Sequence, residues 1–77
     1  MFEKTIVLSS YDKVRSFVAL ANTLPYDIEL VSGKKKVNGK SIVGIFSLDL
    51  TKPLTVVAHT DSIAVISRKL QPYALKK

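Results

Sequence analysis

Apolar residues recur along this chain with two different periods, and each period predicts one type of element. From Glu3 to Leu8 the apolar and polar side chains alternate, as they do in a strand with one buried face. From about Tyr11 to Thr23 the apolar positions recur every three or four residues, which predicts an amphipathic helix that Pro25 prevents from continuing. The residues predicted to face inward in these two elements are Ile6, Leu8, Val14, Phe17, Val18, Ala21 and Leu24.

The rest of the chain repeats these patterns. Asp27 to Val31 and Lys34 to Val37 are predicted strands joined by a hairpin turn at Ser32-Gly33, and Leu54 to Ala58 is a predicted fourth strand. Second and third helices are predicted in the run from Ile42 to Leu48 and around Ile66. The inward positions of these elements are predicted to be Ile28, Leu30, Ile45, Leu48, Leu54, Val56, Ala58, Ile63, Ile66 and Leu70.

The predicted helix boundaries depend on capping residues and prolines. A serine, threonine or aspartate oxygen at the start of a helix accepts a hydrogen bond from an unpaired amide. The candidate caps are Ser9 or Ser10 for the first helix, with Ser9 and Asp12 matching a capping pattern, and Thr60 or Asp61 for the third. Pro72 is predicted to end the third helix, and Tyr73 to Lys77 is predicted to be a fraying tail.

The order of elements, β-α-β-β-α-β-α, predicts a fold of the α+β class. Each strand has one strongly apolar face, so three helices are expected on one face of a four-stranded, mostly antiparallel sheet, with the other face open. The 77 residues contain no repeat or linker, so residues 1–77 are predicted to form a single domain.

The second helix has more apolar residues than packing on one side requires. It follows the turn dipeptide Asn38-Gly39 and Lys40, and Ser41 is placed to cap it. If Ile45 and Leu48 pack on the sheet, an outward apolar face is left on the helix. Such a face indicates a partner site; it is predicted to comprise Ile42, Val43 and Phe46.

Composition and charge narrow the classes of function. The net charge is +6, which is compatible with a polyanion partner, and the basic cluster comprises Lys34, Lys35, Lys36 and Lys40. Aromatic residues are too sparse to form a stacking platform, which disfavours nucleic acid as the partner. The chain has no cysteine, and His59 has no further ligand at metal-binding spacing, so neither a metal site nor a cofactor is expected. No apolar run approaches the length of a membrane span or a signal peptide, so a cytoplasmic protein is expected.

The segment from Asp27 to Leu50, DIELVSGKKKVNGKSIVGIFSLDL, resembles HPr, the histidine-containing phosphocarrier protein of the bacterial sugar phosphotransferase system. HPr proteins have an acidic residue before an apolar strand, a glycine turn, and then a run of the form K-S-[I/L]-[M/V]-G-[I/V]-[M/F]-S-L. The run from Lys40 to Leu48 matches this pattern at every position. The element order extends the resemblance over nearly the whole chain and implies the HPr-like fold, an open-faced β-sandwich.

The resemblance also implies roles for matching residues. In HPr proteins of low-GC Gram-positive bacteria, the serine equivalent to Ser41 is phosphorylated by a dedicated kinase that uses ATP. The residues matching Ile42, Val43 and Phe46, with Lys40 beside them, correspond to the surface that docks partner proteins. The implied partners are phosphotransferase-system enzymes, a serine kinase or a transcriptional regulator, and the implied role is that of a non-enzymatic protein.

The chain departs from HPr at the start of the first helix. There the family carries its phosphoryl group on a histidine in G-[I/L]-H-A-R-P, whereas this chain reads SSYDKVR. The expectation is therefore a regulatory interaction module that has lost the histidine relay. Two alternatives stay open: a phosphocarrier that uses another acceptor such as His59, and a basic polyanion-binding module. A remaining anion site at the first helix would comprise Ser9, Ser10, Lys13 and Arg15.

Overall fold

A computed structural model describes residues 1–74 of the chain. Four strands and three α-helices follow one another in the predicted order, and a short 3₁₀-helix closes the described part of the chain. The elements are β1 (Phe2–Ile6), α1 (Tyr11–Asn22), β2 (Ile28–Ser32), β3 (Lys35–Asn38), α2 (Ile42–Phe46), β4 (Leu54–Ala58), α3 (Ile63–Leu70) and the 3₁₀-helix at Gln71–Tyr73.

The four strands form one antiparallel sheet in the order β1-β4-β2-β3. Ile6 at the end of β1 pairs with Leu54 at the start of β4, and Ile28 at the start of β2 pairs with Ala58 at the end of β4. The β2–β3 hairpin turns through Gly33, whose φ of 60° lies in the left-handed region that glycine adopts without steric cost. The predicted α+β class, with three helices on one face of the sheet, is confirmed.

The core lies between the sheet and the helices. Alternate residues of β2 and β4 are buried, as the period of two predicts, and α1 contributes Val14, Phe17 and Ala21. Ile45 and Ile66 are fully buried on the inner sides of α2 and α3. The buried core comprises Ile6, Leu8, Val14, Phe17, Ala21, Leu24, Ile28, Leu30, Ile45, Leu48, Leu54, Val56, Ala58, Ile66, Leu70 and Tyr73.

The structure corrects the predicted start of α3. The inward prediction for Ile63 is wrong, because its side chain is 52% exposed. Ile63 is the first residue of the helix, and helical side chains lean toward the helix N-terminus, so this side chain projects beyond the turn that packs on the sheet. The predicted caps are wrong as well: the N-cap is Ser62, without a side-chain cap bond, and the Thr60 hydroxyl accepts a bond from the Ser62 amide instead.

The segment after α3 is packed, so the predicted fraying is wrong for Tyr73 and Ala74. The carbonyl of Tyr73 accepts a 2.8 Å hydrogen bond from the amide of Val7, and Ala74 forms an antiparallel bridge with Ile6. The Tyr73 ring is buried and lies at 87° to the ring of Phe17, with 5.7 Å between the ring centroids. The remaining residues of the predicted tail, 75–77, lie outside the described part of the chain.

Candidate functional site

The helix α2 begins where the sequence predicted, at a loop that is tied down on several sides. The Ser41 hydroxyl accepts a 3.1 Å hydrogen bond from the amide of Gly44, as a capping serine does. The Lys40 ammonium donates to the carbonyl of Leu24 at 3.0 Å, and the Asn22 amide donates to the carbonyl of Lys40 at 3.3 Å. These two bonds attach the α2 loop to the end of α1, so the start of α2 has a fixed position.

The outward face of α2 is narrower than predicted. Val43 is 79% exposed and Phe46 is 45% exposed, but Ile42 is half-buried and packs against the core, so its predicted outward position is wrong. Residues three apart share one side of a helix. Ile42 therefore lies on the same side as the buried Ile45, whereas Val43 and Phe46 form the outward pair.

An aromatic residue of α1 that the sequence pattern does not predict at this site extends the outward face of α2. The ring of Tyr11 stacks on Phe46 with 5.5 Å between centroids and 12° between ring planes, and Tyr11 is 58% exposed. The guanidinium of Arg15 lies over the ring of Tyr11, 5.7 Å from its centroid, which is within the range of a cation–π interaction. We call Tyr11, Val43 and Phe46, with Arg15 beside them, the helix-pair surface.

The four residues of the predicted anion site do not all come together, because their side chains make contacts in different places. The Ser10 hydroxyl caps α1 by accepting from the amide of Lys13 at 3.2 Å, so Ser10 rather than Ser9 is the cap. Ser9 and Ser10 line a shallow depression of about 310 Å³ between the start of α1 and the loop after α2. Arg15 lies at Tyr11, and the side chain of Lys13 is not part of the depression's lining.

The loop that follows α2 lines the same depression. Leu50 and Thr51 line the depression together with Tyr11 and Phe46. The carboxylate of Asp49 accepts hydrogen bonds from the hydroxyl and the amide of Thr51, and these bonds hold the pKa of Asp49 below its usual value. The loop that borders the helix-pair surface therefore carries a negative charge that the hydroxyl and the amide of Thr51 stabilise.

His59 lies at the far end of the sheet from the start of α1. It follows β4, whereas α1 starts after β1, at the end of the sheet where Ile6 pairs with Leu54. From Leu54 to His59 the separation is roughly 16 Å, at about 3.3 Å per strand residue. On the open face of the sheet, the His59 imidazole is 2.9 Å from the carboxylate of Glu29, and Lys36 is 3.7 Å from the other carboxylate oxygen.

The Glu29 carboxylate is the charged centre of this second cluster. The hydrogen bond with His59 is the main cause that lowers the pKa of Glu29, and the nearby ammonium of Lys36 lowers it further. The cluster lies in a depression of about 450 Å³ whose lining also includes Asp27 and Asn38. In residues 1–74 no group of three or more potential metal ligands comes together.

The lysines of the predicted basic cluster point to different partners. Lys35 donates to the carbonyl of Ser47 at the end of α2, Lys36 pairs with Glu29, and Lys40 donates to Leu24. A cation at a helix C-terminus is stabilised by the exposed carbonyls there, so Lys35 has a structural role. No helix within residues 1–74 is long and apolar enough to cross a membrane.

The fold has known counterparts, although sequence comparison alone finds none. No protein-family model matches the chain, and no curated protein matches it in sequence. Among solved structures, it is similar to HPr-C-His from Thermoanaerobacter tengcongensis, with 28% identity and a TM-score of 0.76 over 91% of this chain and 86% of that one. It is also similar to a phosphocarrier protein HPr from Bacillus anthracis, with 25% identity and a TM-score of 0.73 over 96% of both chains. The chain therefore has the HPr-like fold, that of the HPr phosphocarrier proteins, over nearly its whole length.

Proposed function

We propose that this HPr-like chain is a regulatory docking protein of the bacterial phosphotransferase system, acting in the cytoplasm without being an enzyme. The observation that carries the proposal is the helix-pair surface: Tyr11, Val43 and Phe46 expose adjoining apolar area beside the capping residue Ser41. Exposed apolar patches of this kind are typical of protein–protein contact sites, whose centres are rich in aromatic residues. The proposed partners are phosphotransferase-system enzymes, a serine kinase or a transcriptional regulator.

The docking proposal is tested by adding one charge to the surface. Val43→Asp places a carboxylate at an exposed position, where the substitution leaves the core intact, and it should weaken binding to a phosphotransferase-system partner at least about tenfold. Val65→Asp is the matched control, because Val65 is an exposed valine of α3, 51% exposed and outside the helix-pair surface. Equal weakening by the two variants, or none by Val43→Asp, would contradict docking through α2.

Phosphorylation of Ser41 is the proposed regulation of this surface. In that reaction the Ser41 oxygen forms a bond to the γ-phosphorus of ATP, the bond to ADP breaks, and the hydroxyl proton is lost. The product places a dianion next to Lys40 and two residues before Val43, on the border of the docking surface. Phosphorylation of Ser41 therefore changes the charge beside the docking surface and, through that charge, the binding of a partner.

Incubation with a Gram-positive HPr kinase and ATP, followed by intact-mass measurement, tests this step. A gain of one phosphate that disappears in Ser41→Ala and persists in Ser47→Ala is expected, since Ser47 is an exposed serine at the other end of the same helix. A protein that gains no phosphate, or gains it equally in both variants, would refute regulation at Ser41.

We also propose that the histidine relay is lost. A phosphoryl carrier that receives and donates reversibly needs a nucleophile such as neutral imidazole, and the α1 start offers Ser9 and Ser10 instead. With labelled phosphoenolpyruvate and the general phosphotransferase enzyme, we expect no acid-labile label on the chain. Label that is abolished in His59→Ala would instead make the chain a phosphocarrier with an unusual acceptor.

A further inference from the structure

The open face of the sheet carries a cluster of charged side chains that docking through α2 does not use. Glu29 lies at its centre, with the His59 imidazole 2.9 Å from one carboxylate oxygen and the Lys36 ammonium 3.7 Å from the other. The helices pack on the opposite face of the sheet, and the side chains of His59 and Glu29 are 44% and 29% exposed. Both groups therefore exchange protons directly with water.

The contact between His59 and Glu29 joins two strands at the point where the chain leaves the sheet. His59 is the first residue after β4, and its backbone amide donates a 3.0 Å hydrogen bond to the carbonyl of Asp27, just before β2. Three residues further on, α3 begins at its N-cap Ser62, whose side chain makes no capping bond. The imidazole and the carboxylate therefore attach the β4–α3 connection to β2.

The other charges near this contact come from each neighbouring strand and from the ends of the strands. They are Lys36 on β3, Asp27 before β2, Glu3 in the same row of the sheet as Glu29, the amino terminus of Met1 before β1, and Asp61 after β4. Carboxylates and lysines keep their charge in mildly acidic and neutral solution, and an amino terminus titrates at higher pH. Between about pH 5.5 and 7, the imidazole is the group in this set that ordinarily changes charge.

We propose that the contact between His59 and Glu29 is a pH-responsive clasp on the β4–α3 connection. Below about pH 6.5, where histidine is ordinarily protonated, the contact is an ion pair, and at higher pH the imidazole is neutral and only the hydrogen bond remains. Glu29 stays ionised throughout, because its hydrogen bond with His59 holds the pKa of the carboxyl below its usual value. The added attraction is therefore present in mildly acidic solution and is lost as the pH rises. This inference does not depend on docking or on phosphorylation.

The first test measures amide hydrogen exchange by NMR at about pH 5.5 and pH 7, with protection corrected for the intrinsic exchange rates. Protection of the His59 amide should be higher at the lower pH by a factor of about 1.5 to 5, the range of a partly exposed ion pair. The increase should disappear in Glu29→Gln, which keeps an acceptor but has no charge. The Val7 amide, bonded to Tyr73 at the other end of the sheet, is the internal control. Equal protection of His59 at both pH values, the same increase in Glu29→Gln, or a parallel increase at Val7 would overturn the proposal.

The second test assigns the pH dependence to the imidazole by double-mutant cycles in urea unfolding. The coupling between Glu29→Gln and His59→Gln should be larger at about pH 5.5 than at pH 7. Lys36 is the matched control, because it contacts the same carboxylate and stays charged at both pH values. The coupling between Glu29→Gln and Lys36→Gln should therefore be the same at both. A coupling with His59 that does not change with pH, or one with Lys36 that changes as much, would refute the clasp.

Discussion

The two faces of α2 differ strongly in burial. Truncating a residue on the inner face should therefore greatly lower the free energy of unfolding, whereas truncating one on the outer face should hardly change it. Ile45 is fully buried, whereas Val43, two residues earlier, is 79% exposed. Ile45→Ala removes buried methyl and methylene groups and leaves a cavity, which costs about 2–5 kcal/mol in comparable cores. Val43→Ala removes atoms that already contact water, and alanine is the better helix former, so the free energy of unfolding should change by less than about 0.5 kcal/mol.

The size of the domain makes this difference easy to measure. A chain of 77 residues is expected to have about 4–12 kcal/mol of stability, so the loss in Ile45→Ala is a large share of the total. In a urea titration followed by circular dichroism, a slope of about 1 kcal/mol per molar predicts a midpoint lower by roughly 2 M or more for Ile45→Ala. The midpoint of Val43→Ala should stay within about 0.5 M of the parent.

The comparison bears directly on function, because a residue needed for stability is a poor candidate for docking. Ile45→Val, which removes one methyl group, provides a graded control and should cost about 0.5–1.5 kcal/mol. If Val43→Ala destabilised the protein as much as Ile45→Ala, Val43 would be part of the core. In that case α2 would have no exposed apolar surface at Val43.

Substitutions at three positions, Ser41, Glu29 and Gly39, test single contacts. Ser41→Ala should lower the free energy of unfolding by about 1 kcal/mol and Ser41→Asp by less, because a carboxylate still accepts the capping bond; equal thermal midpoints for both would contradict the cap. The pKa of Glu29 is lowered by its hydrogen bond with His59, so its contribution is present above the unfolded-state pKa, near 4.5, and lost as the pH falls through the folded-state pKa. Acid titration of Glu29→Gln should therefore show a shallower loss of stability below about pH 4.5, and a slope equal to the parent's would contradict this. Gly39→Ala should cost about 1–3 kcal/mol in chemical unfolding, since its Cβ would meet Ile28 at 2.8 Å; a neutral result would mean that the loop shifts freely.

The sequence predicted the parts of this fold that depend on local periodicity. Alternation in β4 correctly placed Leu54 and Val56 inward, and the serine before α2 correctly located the start of that helix. Both signals lie within a few residues, where backbone geometry dictates which side chains share a face. The outward prediction for Ile42 is wrong because it assigned too many residues to the exposed face of α2. Ile42 lies three residues before Ile45 and therefore faces the same side of the helix.

The contacts that the sequence pattern does not predict join residues that are far apart in the chain. Tyr11 and Phe46 meet only because α1 and α2 pack side by side on the sheet. The pairing of Glu29 with His59 requires β4 to lie next to β2, and several strand orders satisfy the same apolar pattern. Periodicity describes which way a side chain faces within its own element, and it carries no information about which neighbour completes the contact.

The position of β1 has a consequence for synthesis of the protein. β1 forms its sheet bonds with residues 54–58, and the amide of Val7 beyond it bonds to Tyr73. At about 5–20 residues per second, roughly 2–10 s separate the synthesis of β1 from that of its partner strand. During that interval the apolar stripe of α1 has no complete sheet to cover it, because β4 joins β1 to the β2–β3 hairpin. Non-local pairing of this kind also slows folding, so the nascent chain depends on its late residues to bury what its early residues expose.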